Sequence, residues 1–119
     1  KVGVMAVPAL NKKECLKQKN INMITCGGQA SIPIAAALGR SHQDIEYIEV
    51  VSSIASKSAG PATRRNLDEY IETTEDGIKK FSGVKKAKAI LNLNPAFPLY
   101  KYANYYFCKN RFSRHQSSK

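Results

Sequence analysis

Leu67, Tyr70, Ile71, Thr74, Ile78 and Phe81 recur at steps of three and four residues. A helix over 67–81 would carry them all on one apolar face, and that face needs a covering layer. The helix has two candidate starts: Asn66 with Glu69 resembles a capping box, and Thr63 serves as well. Asp68, Glu69 and Glu72 crowd its beginning and Lys79 and Lys80 its end, as the helix dipole prefers. Runs on either side can supply the layer. "IEYIEVVSSI" alternates as a strand with one wetter face, and "AILNLN" reads as another strand after a turn at "SGVKKAK".

Upstream, "VGVMAV" reads as a short strand broken by Pro8, and the polar "LNKKECLKQKN" as a surface crossing. "INMITC" is rich in strand formers. "GQASIPIAAALGR" is helical, with Gly39 as its stop and Pro33 tolerable only in the first turn. "ASKSAGPATRR" is a loop with a Gly-Pro turn signal. The order is strand, helix, strand, loop, helix, strand, without internal repeat. The last 22 residues show no usable periodicity.

A chain of 119 residues fits one domain. Its net charge of +10 lies in the flanks: +4 over residues 1–25, +1 over 26–97 and +5 over 98–119. The tail "YKYANYYFCKNRFSRHQSSK" interleaves aromatic and basic residues. It lacks the spacing of a known nucleic-acid module, so no nucleic-acid partner is expected. No stretch approaches the ~20 apolar residues of a membrane span. The start, "KVGVMAVPALNKKE", lacks a cleavage site and reads as a strand rather than a secretion signal. Cys15, Cys26 and Cys108 are odd in number and form no CxxC, which suits reduced thiols in a cytoplasmic compartment. His42 and His115 stand apart from any zinc-type cysteine pair, so no metal is expected.

Cys26 follows an apolar run and precedes Gly27, Gly28 and a helical stretch. Helix N-terminal amides favour a thiolate, and glycines let a substrate approach the backbone. The same N–H groups suit the oxyanion formed when a thiolate adds to a carbonyl. Equally, an unpaired cysteine can simply pack. Cys15 and Cys108 are read as incidental. The loop 58–66 places small residues, amides and Arg64 ahead of a helix. That suits an anion such as phosphate, or an ordinary strand-to-helix connection.

"NMITCGGQASIPIAAA", "SIASKSAGPATRRNLDEYIETT" and "KAILNLNPA", in that order, closely resemble the acylating acetaldehyde dehydrogenases, from about Val7 to Ala96. The resemblance implies oxidation of acetaldehyde to acetyl-CoA with NAD and coenzyme A, within bacterial catabolism of aromatic hydrocarbons. Cys26 matches the thiol nucleophile that forms the thioester. Ser58, Ala59, Gly60, Pro61, Ala62, Thr63, Arg64, Arg65 and Asn66 match a NAD-contacting segment. In that segment Ala62 replaces a usual glycine and Arg65 a usual small residue; a positive φ at 62 would strain alanine.

The implied fold is α+β, a mixed sheet packed by helices. It is the C-terminal catalytic and dimerisation domain of the glyceraldehyde-3-phosphate-dehydrogenase type, here incomplete. Residues 1–25 would end the NAD-binding domain and its linker, 26–97 form part of the catalytic domain, and 98–119 be a divergent basic tail. Implied partners are a second copy, as a homodimer, and a 4-hydroxy-2-oxovalerate aldolase.

The sequence departs from the family in lacking a GxGxxG loop and in its tail. After Ala96 the family has a glutamate and two prolines where this chain has Phe97 and Pro98, so no later residue receives a family role. Reading "YKYANYYF" one nucleotide later yields a more strand-like, family-like run, which implies a frameshifted or truncated gene product. The expectation is a chain with negligible activity alone, a loosely packed tail, and a tendency to associate through an uncovered face and an open sheet edge. The rival expectation is a non-catalytic remnant that binds a homologous subunit or the aldolase.

Overall fold

The computed structural model describes residues 2–95 and 103–110. The elements run β1 (Val4–Met5), α1 (Pro8–Cys15), β2 (Ile21–Asn22), α2 (Cys26–Ser41), β3 (Ile45–Ala55), α3 (Pro61–Arg65), α4 (Leu67–Ser82), β4 (Lys86–Asn94) and β5 (Ala103–Asn110), with a short 3-10 turn at Ser56–Ser58. Two sheets result: β1 pairs with β2, and a three-stranded sheet has the order β4-β3-β5. β4 lies parallel to β3 and β5 antiparallel to it. The fold is therefore α+β with a mixed sheet packed by helices, as expected.

Strand register sorts the side chains into two faces, since directly paired residues point the same way. Ile48 pairs with Ala87 and Cys108, and Val50 with Ala89 and Tyr106. This face meets α2 and α4, where Ile48 and Val50 join Ile32, Ala35, Ile78, Val84 and Val7 in one buried cluster. On the opposite face Tyr47 pairs with Lys86 and Lys109, Glu49 with Lys88 and Phe107, and Val51 with Ile90 and Tyr105. No element of the described residues covers that face.

α4 follows its periodicity, burying Tyr70, Thr74 and Ile78, although Leu67 stays exposed. Gly83, at φ 78°, ends it as a left-handed cap that only glycine adopts easily. The Asn66 side chain makes no capping bond, so the capping box does not form. α1 begins on Pro8, whose missing N–H costs nothing in a first turn. The segment read as a surface crossing thus starts as a helix. β1 and β2 are only two residues each, paired at Val4–Ile21 and Met5–Asn22.

Three expectations are corrected. Pro33 lies well inside α2, not in its first turn. It removes one backbone donor, and complete burial of Ile32, Ala35 and Ala36 around it keeps the helix continuous. Gly39 is not the stop of α2, which runs on to Ser41. It is an interhelical contact: the Ser82 carbonyl packs where a Cβ would stand. The tail is not loose throughout. Residues 103–110 form β5, joined to β3 from Ala103–Ser53 to Asn110–Ile45 with a shift between Ile45 and Tyr47. Residues 98–102 and 111–119, with His115, lie outside the described residues.

Candidate functional site

The turn from β2 into α2 is built by side-chain bonds to the backbone. Ile24 N–H donates to Asn22 Oδ1 at 2.8 Å. Ile24 then adopts φ 67°, the one non-glycine positive φ among the described residues. A β-branched residue pays a steric penalty there, so the turn is held by its surroundings. Gln29 Nε2 donates to the Ala6 carbonyl at 2.6 Å and the Met23 carbonyl at 2.7 Å, fastening α2 to the first sheet.

Thr25 caps α2. Its Oγ1 accepts from the Gly28 N–H at 2.8 Å, and its carbonyl accepts from the Gln29 N–H at 2.9 Å. Cys26 is therefore the first residue of the helix, and its side chain is exposed. The Cys26 and Gly27 amides precede any possible intrahelical acceptor, and Gly27 itself is buried. Gly28 is required by space: a Cβ would fall 2.9 Å from Thr25 Oγ1 and 3.0 Å from Ile24 Cγ2.

The second segment is a compact turn followed by a five-residue helix. Arg64 organises it: its Nη2 donates to the Ser56 carbonyl at 2.6 Å and Ser56 Oγ at 2.9 Å, and its Nε to the Ala59 carbonyl at 3.2 Å. Arg64 thus serves the loop's own carbonyls, in addition to any role toward an anion. Ala62 is helical, not left-handed, so alanine there carries no backbone strain.

The two segments meet across a cleft of about 200 Å³. Asn22, Ile24 and Thr25 form one wall; Ala62, Thr63 and Asn66, with Glu69, Tyr70 and Thr73 of α4, form the other. Cys26 stands beside this cleft as the neighbour of Thr25. A wider groove of about 410 Å³ lies at Tyr47, Lys86 and Lys109, at the far end of β3 from the α2 N-terminus. Cys15, half-buried on α1, donates to Asn11 Oδ1 at 3.4 Å. Cys108 lies on β5, and partial burial pushes its thiol pKa above the ordinary value.

The cap has a partner outside its own helix. Thr25 Oγ1 lies 2.8 Å from Thr74 Oγ1, across 49 residues of chain. Thr74 belongs by periodicity to the apolar face of α4, and a hydroxyl on that face is the sequence signal for such a contact.

These features define a class: an α+β domain that presents an exposed thiol at a capped helix N-terminus, beside a polar cleft. Comparison of sequences gives the family. The profile described as prokaryotic acetaldehyde dehydrogenase, dimerisation, matches residues 26–118, and the chain belongs to that family. The match continues through the tail, past Ala96, where no family role had been assigned. An acetaldehyde dehydrogenase of Pectobacterium atrosepticum is 62% identical over 100 residues, covering 82% of this chain and 34% of the relative. One from Burkholderia pseudomallei is 55% identical over 112 residues, 88% of this chain and 38% of the relative. The chain thus spans about a third of the length of these relatives. No helix among the described residues is long and apolar enough to cross a membrane.

Proposed function

We propose that Cys26 is the nucleophile of an NAD-dependent, acylating acetaldehyde dehydrogenase. The exposed thiol at the capped start of α2 carries this reading. Its thiolate adds to the carbonyl carbon of acetaldehyde, and the new oxyanion is stabilised by the Cys26 and Gly27 amides. Loss of hydride from that adduct, for which bound NAD would be the acceptor, would leave Cys26 as an acetyl thioester. The thiolate of coenzyme A attacks that thioester carbonyl, expels the Cys26 thiolate and leaves as acetyl-CoA.

The residues 58–66 fit one end of NAD. Ala62, Thr63 and Asn66 line the cleft beside Cys26, but its volume of about 200 Å³ is small for a dinucleotide. The glycine-rich loop for a pyrophosphate is absent from this sequence. We assign the chain the acylation chemistry of a cytoplasmic enzyme. By the same resemblance, a second copy and a 4-hydroxy-2-oxovalerate aldolase are its partners.

The acyl-transfer half of the reaction needs no NAD and can be run backwards. Acetyl-CoA incubated with the chain should transfer one acetyl group to Cys26 and release one coenzyme A, as read by intact mass and peptide mapping. Cys26→Ala should abolish the gain. Acetylation spread equally over Cys15 and Cys108 would refute the assignment.

A second reading, association without catalysis, rests on the uncovered sheet face. Tyr105 and Phe107 are 58% and 57% exposed there, beside Val51 and Ile90. Sedimentation of wild type against Phe107→Lys tests it: a dimer that the lysine dissociates is expected, and an unchanged monomer in both refutes it.

A further inference from the structure

We propose that Thr74 is a positioning residue for Cys26, acting through Thr25; this rests on the reading of Cys26 as nucleophile. The hydroxyl protons have one arrangement. Thr74 Oγ1 lies 2.7 Å from the Tyr70 carbonyl, which can only accept, so the Thr74 proton is committed there. In the 2.8 Å contact with Thr25, Thr74 Oγ1 is therefore the acceptor and Thr25 the donor. Thr25 then has its lone pairs left for the Gly28 N–H, the 2.8 Å capping bond. The direction runs from the Gly28 amide through two hydroxyls to a carbonyl of α4.

This arrangement does two things. It fixes the Thr25 side chain, so that its oxygen takes Gly28 and leaves the amides of Cys26 and Gly27 for charge at the site. It also ties the start of α2 to α4, the helix whose Tyr70 and Thr73 form the far wall of the cleft. Thr74 is itself 2% exposed and touches neither thiol nor cleft, so its influence passes through Thr25. The half-buried Thr25 hydroxyl, deprived of this acceptor, would turn toward another partner, such as water in the cleft it lines, and take the cap with it.

The test uses Thr74→Val, Thr74→Ser and Thr25→Ala in the full chain. Two readouts follow each variant: hydrogen exchange at the Gly28 amide, and the iodoacetamide rate at Cys26 relative to Cys15. Thr74→Val should expose the Gly28 amide to exchange and slow Cys26 labelling roughly three- to tenfold, with Cys15 unchanged. Thr74→Ser keeps the hydroxyl and should restore both. Thr25→Ala should match Thr74→Val, and the pair together should be no worse than either alone, because they act as one unit. Wild-type behaviour of Thr74→Val, failure of serine to restore, or additive losses would each overturn the proposal. Should Thr74→Val unfold the chain, Thr25→Ala reads the cap alone, and a protected Gly28 amide in it would overturn the proposal. Acetyl transfer from acetyl-CoA reports separately on the nucleophile: its absence in wild type, with the labelling effects intact, would sink the reaction and not the positioning.

Discussion

Gly77 and Ile32 form a test of how tightly α2 and α4 lock beneath the site. A Cβ at Gly77 would stand 2.5 Å from Ile32 Cδ1 and 3.7 Å from Ile32 Cγ1. An ordinary carbon contact is ~3.5–4.0 Å, so Gly77→Ala alone must push Ile32, which is fully buried, by about 1 Å. Overpacking of this kind costs about 1–3 kcal/mol. Alanine recovers about 1 kcal/mol of helix propensity, leaving a net loss of about 0–2 kcal/mol. Ile32→Val removes the clashing Cδ1 and costs about 0.5–1.5 kcal/mol as a cavity. Together the two changes relieve each other: the new methyl fills the space of the deleted one, and the nearest remaining partners, Ile24 Cδ1 at 3.6 Å and Ile32 Cγ1 at 3.7 Å, are at ordinary contact distance. The double variant should unfold in urea at or above the wild-type midpoint, with a coupling of about 2 kcal/mol between the sites. Additivity within ~0.5 kcal/mol would refute the interlock and place the helices farther apart than described.

Gly39→Ala should be the more damaging of the two glycine changes, by about 2 kcal/mol or more, because its obstacle is the Ser82 backbone carbonyl and not a movable side chain; thermal melts compare them. Among the three thiols Cys26 should label fastest with iodoacetamide: Cys15 is half-buried, and Cys108, though exposed like Cys26, lies on a strand with its thiol pKa raised by desolvation, whereas Cys26 starts a helix; peptide mapping gives the order. Tyr47 donates to the Glu49 carboxylate, and that bond, then burial and the charges of Glu49 and Glu75, push its pKa up to about 12. Because the folded value lies above the ordinary 10.0, the stabilisation from this tyrosine is complete below about pH 10 and is lost between about pH 10 and 12. Denaturation of Tyr47→Phe against wild type over that window should show the wild type alone losing this increment.

What could be read from the chain depended on whether one face differed from the other. α4 was legible because Tyr70, Thr74 and Ile78 stand out from the acids and lysines opposite them. β3 and β4 were legible for the same reason at period two. β5 was not: in "ANYYFCKN" the helix side holds Asn104, Tyr106 and Cys108, and the open side Tyr105, Phe107 and Lys109. Aromatic and polar residues occupy both faces, and the contrast that marks a strand disappears. Gly39 was misread because the helix-stop rule is local, whereas the Ser82 carbonyl comes from another helix. Cys26 was legible as a helix start from the glycines and alanines after it. Its Thr25–Thr74 support was not, since nothing in the sequence shows which residues 49 positions apart will touch.

β5 also changes where the pressure to associate lies. Without it, β3 would expose an unpaired edge; with it, the edges of the sheet among the described residues are β4 and β5. On β4 the Glu75 carboxylate of α4 accepts from the Ala89 N–H at 3.1 Å, so part of that edge is already occupied. On β5 the exposed aromatics point across the sheet, not along its edge. The apolar surface left over, Val51, Ile90, Tyr105 and Phe107, is therefore a face. Edge pairing can continue indefinitely, whereas two like faces can close on each other about a twofold axis and stop. The lysines at 86, 88 and 109 flank the apolar strip, where like charges oppose unlimited stacking yet can remain hydrated at a dimer rim. A finite dimer, rather than open-ended aggregation, is the form of association this arrangement of residues favours.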